Sequence, residues 1–263
     1  MLGLGNSLTN MLVPQDVTYD NEYSISCDGV NDSFTTGATF KTTFRGSFTT
    51  AFWVKGLLAN SGGADYMCGS FDTSSPFSLI YIYADTNGKL KYTMSAEGEN
   101  HVMEDDSVTF TPDATIGWTH IAISITKVGG SNATTGIMYV NGSALTSTNS
   151  TGITGTEQEA FDNGTVPLQF GALGISTNQL YHIDADFDEI AIWNAALDAN
   201  AISAVYNSGS PFDLGSDNGD YDNSGDLVSY YKFTEGASTS VADSAGSNTG
   251  ALVNGASWET DTP

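Results

Sequence analysis

The chain has 263 residues, of which 40% are apolar and 11% aromatic, so it is long enough for one large β domain or two small ones and can bury a core. Its 7 Lys and Arg residues against 31 Asp and Glu residues give a formal net charge of −24. Such an acidic surface repels phosphate backbones and anionic lipid, which disfavours nucleic acid and membranes as partners and favours divalent cations.

The first segment, residues 1–17, is predicted to be an arm rather than a targeting sequence. It is mildly apolar but carries no Lys or Arg, whereas a secretory signal begins with positive charge. No apolar run approaches the roughly 20 residues that span a bilayer. If the protein acts outside a cell, we expect it to arrive by another route, such as release within a virus particle.

Short segments of alternating polar and apolar residues, rich in β-branched and aromatic side chains, dominate the chain. In chain order they include YSISC, SFTTAFWVK, FSLIYIY, KLKYTMSA, VTFTP, WTHIAISIT, GIMYVNG, PLQFGAL and FDEIAIWN. Turn-forming clusters separate them, and the Asn-Gly pairs in DTNGKL and YVNGSAL are typical of type I′ hairpins. The pattern predicts an all-β, antiparallel two-sheet sandwich of the jelly-roll type.

One short helix is predicted in the C-terminal half, in the segment ALDANAISAVYNSG. Leu197, Ile202, Val205 and Tyr206 recur at helical spacing. Asp198 stands where an N-cap is expected, and Gly209 stands where the helix should end.

Residues 18–263 are expected to form a single domain. Within it, the Asp- and Gly-rich stretch 210–226 is predicted to be an acidic loop, and residues 227–263 to form strands that pack back onto the sandwich or onto a neighbouring molecule. Cys27 and Cys68 could form one disulfide, but two cysteines make no framework and no zinc spacing, and free buried thiols are favoured.

Five sequence segments within residues 22–209 occur in an order that indicates a family more specifically than the strand pattern does. They are YSISCDGVNDSFTTG, GSFTTAFWVKG, GWTHIAISI, GIMYVNGSAL and FDEIAIWNAALDANAISAVYNSG. Their order resembles the laminin-G-like, concanavalin A-like lectin/glucanase jelly-roll family, with Cys27 where Phe is usual. The stretch LVSYYKFTEG and the residues after it resemble the strand pair that normally precedes the first motif, which implies either a permuted domain or a truncated repeat.

The acids of DADFDEIAIWNAAL raise the alternative of a glycoside hydrolase. Jelly-roll glucanases place catalytic acids on one strand, and Asp184, Asp186 and Glu189 resemble that arrangement except at the first acid. Alternate strand residues lie about 6.6 Å apart, whereas retaining hydrolysis needs carboxyls roughly 5–5.5 Å apart. An Asp nucleophile is also one methylene short, and an error of about 1 Å can cost about 100-fold in rate. We therefore expect no enzymatic activity and keep hydrolysis at these acids as the alternative.

The segment DYDNSGDL predicts a calcium site. It places four oxygen ligands at the 1, 3, 5 and 7 positions of a calcium-binding loop: Asp220, Asp222, Ser224 and Asp226. Gly225 falls at the sixth position, but Tyr231 occupies the twelfth, where a bidentate Glu is needed. The alternative is a solvated acidic linker.

A second calcium site is considered at the turn that carries Asp28 and Asp32, with Asp188 expected nearby. Some lectin-like relatives bind calcium on such loops. Turn chemistry is the alternative, because Asp stabilises turns by accepting a hydrogen bond from its own backbone.

Tyr81 and Tyr83 are the residues predicted to bind a ligand. In FSLIYIYAD they alternate with Ile80 and Ile82, so if the isoleucines face the core, both tyrosines stand on the open face of a sheet. There they could stack against the apolar side of a sugar, or else pack beneath a loop.

Together these features predict a non-enzymatic recognition or adhesion module that binds surface glycans or a protein. The missing secretory signal, the arm and the unusual place of the C-terminal strands also suggest a virion-associated decoration or tail protein, which assembles with other virion proteins or as a homo-oligomer. Its expected location is a virion surface or the extracellular space. We find no Ser-His-Asp order and no phosphate-binding Gly-rich loop.

Overall fold

The computed structural model describes residues 19–59, 62–74, 77–96, 98–149, 153–175 and 178–263. The arm predicted at 1–17 lies outside this part of the chain. The described residues form two antiparallel sheets packed face to face, which confirms the expected all-β sandwich.

The strands are short, as their alternating pattern predicts. In chain order they are β1 Ser24–Asp28, β2 Ser33–Thr35, β3 Phe48–Leu58, β4 Asp65–Asp72, β5 Ser78–Ala84, β6 Leu90–Ala96, β7 Glu99–Asp105, β8 Ala114–Thr126, β9 Thr135–Val140, β10 Ser143–Ala144, β11 Ser147–Asn149, β12 Gln169–Phe170, β13 Leu173–Ile175, β14 Asn178–Leu180, β15 Asp184–Trp193, β16 Leu227–Tyr231, β17 Ser240–Val241, β18 Gly250–Val253 and β19 Ser257–Glu259. The α-helices are α1 Lys41–Phe44, α2 Gly155–Glu159 and α3 Ala199–Tyr206.

The first sheet has the strand order β10-β9-β8-β3-β15-β1-β19, and β16 pairs with the second half of β15 beside β1. The second sheet has the order β11-β7-β6-β5-β4-β12-β2-β18-β17. The hairpin of β13 and β14 joins the second sheet through a parallel pairing of β13 with β4. The other pairings of named strands are antiparallel, so the connections run as hairpins and crossovers between the two layers.

The main core lies between the sheets and is built by alternation. Ile80 and Ile82 of β5 face Phe52 of β3 and Phe187 of β15 across the sandwich, and all four side chains are buried. Edge-to-face ring contacts, such as Phe52 with Phe170 at 5.3 Å between centroids, fill the interior.

A second hydrophobic cluster covers the outer face of the first sheet. Trp193 and Ala191 of β15 point away from the main core and are buried beneath α3 and the segment 210–226. The Nε1 of Trp193 donates to the hydroxyl of Tyr221 at 3.1 Å, and that hydroxyl donates to the carbonyl of Leu214 at 2.8 Å. The apolar residues of the predicted acidic loop therefore pack it against the outer face of the first sheet. The sequence interpretation did not anticipate this packing.

The one predicted helix is α3, which is the longest α-helix of the described residues. The Asp198 carboxylate accepts from the backbone N–H groups of Asn200 and Ala201, both at 2.9 Å, as the N-cap prediction requires. The helix ends at Tyr206, before the expected Gly209, because Asn207 adopts a left-handed conformation with φ of 45°.

The C-terminal strands pair within this chain. β16 pairs with β15, β18 with β2, and β19 with β1, so residues 227–263 contribute to both sheets. The hydroxyl of Tyr231 ties this segment to the core: the carbonyl oxygens of Asn248 at 2.7 Å and Thr36 at 2.9 Å are both within reach of its single proton.

Cys27 and Cys68 are both buried and unbridged. Among the described residues, none of the helices has the length and hydropathy that a bilayer crossing requires.

Candidate functional site

A group of four tyrosines lies on the outer face of the second sheet. Tyr66 of β4 stacks against Tyr83 of β5, with ring centroids 5.2 Å apart and planes at 17°. Tyr81 contacts both rings edge-on at 5.3 and 5.4 Å, and Tyr181, which follows β14, lies 4.9 Å from Tyr66. We refer to Tyr66, Tyr81, Tyr83 and Tyr181 as the tyrosine cluster.

The alternation of β5 creates this cluster. Ile80 and Ile82 are 4% and 2% exposed on the core side, so Tyr81 and Tyr83 must point outward. Tyr81 and Tyr83 therefore lie on the outer face of the sheet, as the alternation predicted. Their rings contact other tyrosine rings and are not simply packed beneath a loop.

The cluster presents aromatic faces and hydroxyl groups to its surroundings. Tyr181 is 56% exposed, and the other three rings are partly buried against one another. Burial, assisted by the neighbouring tyrosines, raises the pKa of Tyr66 to about 12. Burial also raises the pKa of Tyr81 and Tyr83, so these hydroxyls stay protonated at neutral pH and can both donate and accept hydrogen bonds.

A charged network borders the cluster along β6 and β7. Lys91 pairs in register with Tyr83, and its Nζ lies 3.1 Å from Asp85 Oδ2 and 2.8 Å from Glu104 Oε2. Lys89 Nζ lies 2.9 Å from the other oxygen of Glu104. Burial works against the charged form of Lys91, but hydrogen bonds to Glu104 and Asp85 outweigh it and raise the pKa of Lys91 to about 12.

Two members of the cluster were missed at the sequence level. Tyr66 could have been found, because in DYMCGSFD it alternates with the buried Met67. Tyr181 gives no periodic signal, since it follows β14 in a left-handed conformation with φ of 57°.

The acids of β15 differ in their exposure and in their partners. Asp184 is exposed, and the Asp186 carboxylate lies 3.3 Å from Lys55 Nζ. Asp188 and Glu189 are 0% and 4% exposed. The alternation breaks at a bulge after Asp188, where Glu189 has a φ of 51°, and this turns two consecutive acids out of the main core.

Both buried acids are held by side chains from distant parts of the chain. The Tyr19 hydroxyl donates to Glu189 Oε1 at 2.5 Å, and the Tyr230 hydroxyl donates to Glu189 Oε2. Asn21 Nδ2 donates to Asp188 Oδ2 at 2.9 Å. We refer to these five residues as the buried acid cluster.

Burial changes the protonation of this cluster. Desolvation raises the pKa of Asp188 well above its usual range, with the neighbouring Glu189 adding to the effect. Desolvation also raises the pKa of Glu189 to about 8, although the hydroxyls of Tyr19 and Tyr230 oppose the shift. The hydrogen bonds from the Tyr19 and Tyr230 hydroxyls to Glu189 anchor the segment near Tyr19 to the first sheet.

The turn predicted to bind calcium at Asp28 and Asp32 is held by its own hydrogen bonds. Asp28 Oδ1 accepts from the backbone of Val30 at 2.8 Å, and Asp32 Oδ2 accepts from the backbone of Asp28 at 3.4 Å. The expectation that Asp188 lies nearby is wrong, because Asp28 pairs in register with Asp184. Four residues of strand place Asp188 about 13 Å further along β15.

The four predicted ligands of the 220–226 loop fall in two local environments, a cavity and a turn. Asp220 and Asp222 line an open polar cavity of about 350 Å³ beside the N-terminus of α3. Ser224 and Asp226 instead form a 3-10 turn, in which Asn223 Nδ2 donates to Asp226 Oδ2 at 3.0 Å. Across the part of the chain that the structure describes, no three His, Cys, Asp or Glu side chains are arranged to hold a metal ion.

Comparisons with known proteins agree with the sandwich. A laminin G family model, described as the concanavalin A-like lectin/glucanases superfamily, matches residues 28–203. No curated protein matches the chain.

Several solved structures share the fold at low identity. A "putative carbohydrate binding protein" from Bacteroides ovatus is 18% identical with a TM-score of 0.56, over 91% of this chain and 60% of that protein. The CBM40 domain of the Ruminococcus gnavus IT-sialidase is 8% identical with a TM-score of 0.50, over 70% of this chain and 97% of that domain. The leech intramolecular trans-sialidase is 11% identical with a TM-score of 0.51, over 72% of this chain and 28% of the enzyme. These names give no support to the expected virion origin.

Proposed function

The chain belongs to the concanavalin A-like lectin/glucanases superfamily, and we propose that it is a non-enzymatic module that binds glycans across the tyrosine cluster. The observation that carries this proposal is the set of partly exposed rings on the outer face of the second sheet, which are in mutual contact. Rings fixed by one another lose little conformational entropy when a ligand stacks on them, so the surface is organised before binding.

The chemistry of the surface suits a sugar. Aromatic faces cover the apolar face of a pyranose ring, and tyrosine hydroxyls can pair with its hydroxyls. Lys91, Asp85 and Glu104 add donors and acceptors at the border of the cluster, and their ion pairs hold them in place. A pattern of apolar contact with a few oriented polar groups is what a specific small-ligand site requires.

Charge favours neutral glycans over sialylated ones. The Ruminococcus gnavus domain has been solved with α2,3-sialyllactose, which carries a carboxylate. Here the formal net charge is −24, and the lysines beside the cluster are already paired with Asp85 and Glu104. An anionic sugar would approach against this field, whereas a neutral sugar would not.

The acids of β15 support a structural role rather than hydrolysis. Asp186 is paired with Lys55, and both oxygens of Glu189 accept from tyrosine hydroxyls while its side chain is 4% exposed. The alternative, hydrolysis at Asp184, Asp186 and Glu189, requires release of reducing sugar from a bound glycan and loss of that release in Glu189→Gln.

A binding module for surface glycans acts where those glycans are exposed. Its proposed location is therefore the extracellular space or a particle surface, with a glycan-bearing surface as its partner. The protein partner, the virion assembly and the homo-oligomer expected from the sequence do not depend on the tyrosine cluster and stay predictions.

The test is a glycan array followed by calorimetry with the best ligand. We expect neutral oligosaccharides to bind more tightly than α2,3-sialyllactose, and Tyr81→Ala and Tyr83→Ala to weaken binding by about tenfold or more. Phe77→Ala is the matched control, since Phe77 is an exposed aromatic residue (46%) that contacts Phe71 outside the cluster. A blank array with folded protein, or tyrosine variants that bind as well as the wild type, would overturn the proposal.

A further inference from the structure

The outer face of the second sheet carries a second feature next to the tyrosine cluster. In the hairpin of β13 and β14, Leu173 packs over Gly69 on the tyrosine side, whereas Gly174 packs against the side chain of Gln169. Gln169 precedes the core residue Phe170 in β12, so its side chain points to the same outer face. The hairpin thus divides this face into two halves.

An open cavity of about 430 Å³ occupies the half away from the tyrosines. Its polar lining consists of Asn31, Gln169, Gln179, His182 and Asn254, with two aliphatic residues beside them. None of these lining side chains is an acid, although the chain as a whole carries a net charge of −24. The volume is within the range of small-ligand pockets.

Two amide oxygens at this cavity lack a hydrogen-bond partner within the described residues. They are Oε1 of Gln169 and Oε1 of Gln179, and both atoms are shielded by the protein. Gln169 is only 8% exposed as a residue. Buried polar atoms are nearly always paired, so an unpaired oxygen on a side chain that lines a cavity points to a partner from outside the chain, which a small rotation of the amide group would let it reach.

His182 adds a third polar group. Its Nδ1 lies 3.0 Å from the carbonyl oxygen of Asp32 and must donate to it, because a carbonyl oxygen can only accept, and Nε2 is the second polar atom of the ring. Asn254 Nδ2 donates to the carbonyl of Asn31 at 3.0 Å and joins the two turns on the other side of the cavity.

From this arrangement we propose that the amide-lined cavity is a second subsite, which binds one neutral sugar unit of the glycan that also contacts the tyrosine cluster. The described residues of the lining include no Lys or Arg, so its amide groups offer donors and acceptors to the hydroxyls of a neutral sugar but no positive charge to pair with a carboxylate or phosphate. Tyr181 of the cluster and His182 of the cavity are consecutive residues, so the two surfaces adjoin across the hairpin. This inference rests on the proposed function and extends it to a ligand of at least two sugar units.

The first test follows NMR signals from the side chains that line the cavity. The full chain, labelled with ¹⁵N, is titrated separately with glucose, galactose, mannose and N-acetylglucosamine at millimolar concentrations, and the side-chain NH₂ resonances of Gln169 and Gln179 are followed. The variants Gln169→Leu and Gln179→Leu assign these resonances. We expect both to shift with at least one sugar, in the wild type and also in Tyr81→Ala, because the cavity does not include that ring.

Affinity for the array-selected oligosaccharide gives the second readout. Gln179→Leu is expected to weaken binding by about tenfold, because it leaves a sugar hydroxyl without its acceptor. Asn200→Ala, which removes an exposed amide on α3, is the matched control and should bind like the wild type. Gln179 is less buried than Gln169, so Gln179→Leu is expected to fold. If Gln169→Leu does not fold, the affinity of Gln179→Leu still tests the subsite.

Each contrary outcome has its own meaning. If no sugar shifts the two NH₂ resonances, or if only calcium chloride shifts them, the subsite is overturned. If Tyr81→Ala loses binding and Gln179→Leu does not, the tyrosine proposal stands and the subsite fails. If the amide resonances shift while Tyr81→Ala binds normally, the cavity is a sugar site and the tyrosine proposal fails.

Discussion

The buried acid cluster makes a quantitative prediction about how stability depends on pH. Burial raises the pKa of Glu189 to about 8 from an ordinary value of 4.5, so the folded state holds this proton more tightly than the unfolded state does. Stabilisation by this group is therefore complete below about pH 4.5, falls as the pH rises from 4.5 to about 8, and stays low above that. The direction follows from the sign of the shift.

The magnitude follows from the same linkage. Each pH unit in this window costs about 1.4 kcal/mol, and the full shift corresponds to about 5 kcal/mol of unfolding free energy. Typical domains have an unfolding free energy of about 5–15 kcal/mol, so the effect is large enough to measure. Glu189→Gln cannot ionise and should remove this part of the pH dependence.

The assay is urea unfolding followed by tryptophan fluorescence, for wild type and Glu189→Gln at steps between pH 5 and pH 9. Taking the difference between the two proteins cancels the titration of acids that do not interact with Glu189. We expect the difference to change by about 1.4 kcal/mol per pH unit in favour of the variant, up to about pH 8. Glu99→Gln, at an exposed position, should show a constant difference. A constant difference for Glu189→Gln as well would refute the reasoning, because it would mean that the carboxyl ionises in the folded state at an ordinary pH.

Two further predictions concern the cysteines and calcium. Burial raises the pKa of both Cys27 and Cys68, so we expect neither thiol to react with Ellman's reagent at pH 8 until denaturant is added; rapid labelling of the native protein would contradict the burial. Because no three His, Cys, Asp or Glu side chains among the described residues are arranged to hold a metal ion, we expect calcium to leave the melting temperature unchanged. A rise that disappears in the double variant Asp220→Asn, Asp222→Asn would establish a calcium site there.

The features that the sequence predicted correctly depend on near neighbours. The alternation of Ile80 with Tyr81 reports which face each side chain takes, because successive strand residues point to opposite sides. The hairpin predicted in YVNGSAL forms, and Asn141 and Gly142 adopt the positive φ angles, 49° and 72°, that a type I′ turn requires. Five ordered motifs then sufficed to identify the family.

The features that the sequence did not predict depend on residues far apart in the chain. The period of two fails at Glu189, where a bulge turns it to the same side as Asp188. Its burial requires the hydroxyls of Tyr19 and Tyr230, which lie 170 and 41 residues away. The sequence of a run of acids on a strand does not show whether water or tyrosine hydroxyls surround the side chains. Only the assembled fold distinguishes an exposed group of acids from a buried group that anchors another segment.

The proposed ligand surface lies on the second sheet because the two sheets differ in how much of their outer face the chain itself covers. On the first sheet, α3 and the segment 210–226 cover Trp193, whose indole N–H donates a hydrogen bond to the hydroxyl of Tyr221 in that segment. The chain itself therefore occupies this part of the outer face. On the second sheet, Tyr181 is 56% exposed beside Tyr66, and the amide-lined cavity opens on the other side of the hairpin. A ligand needs rings and polar atoms that the fold has left accessible, and within the described residues these two features adjoin on one surface.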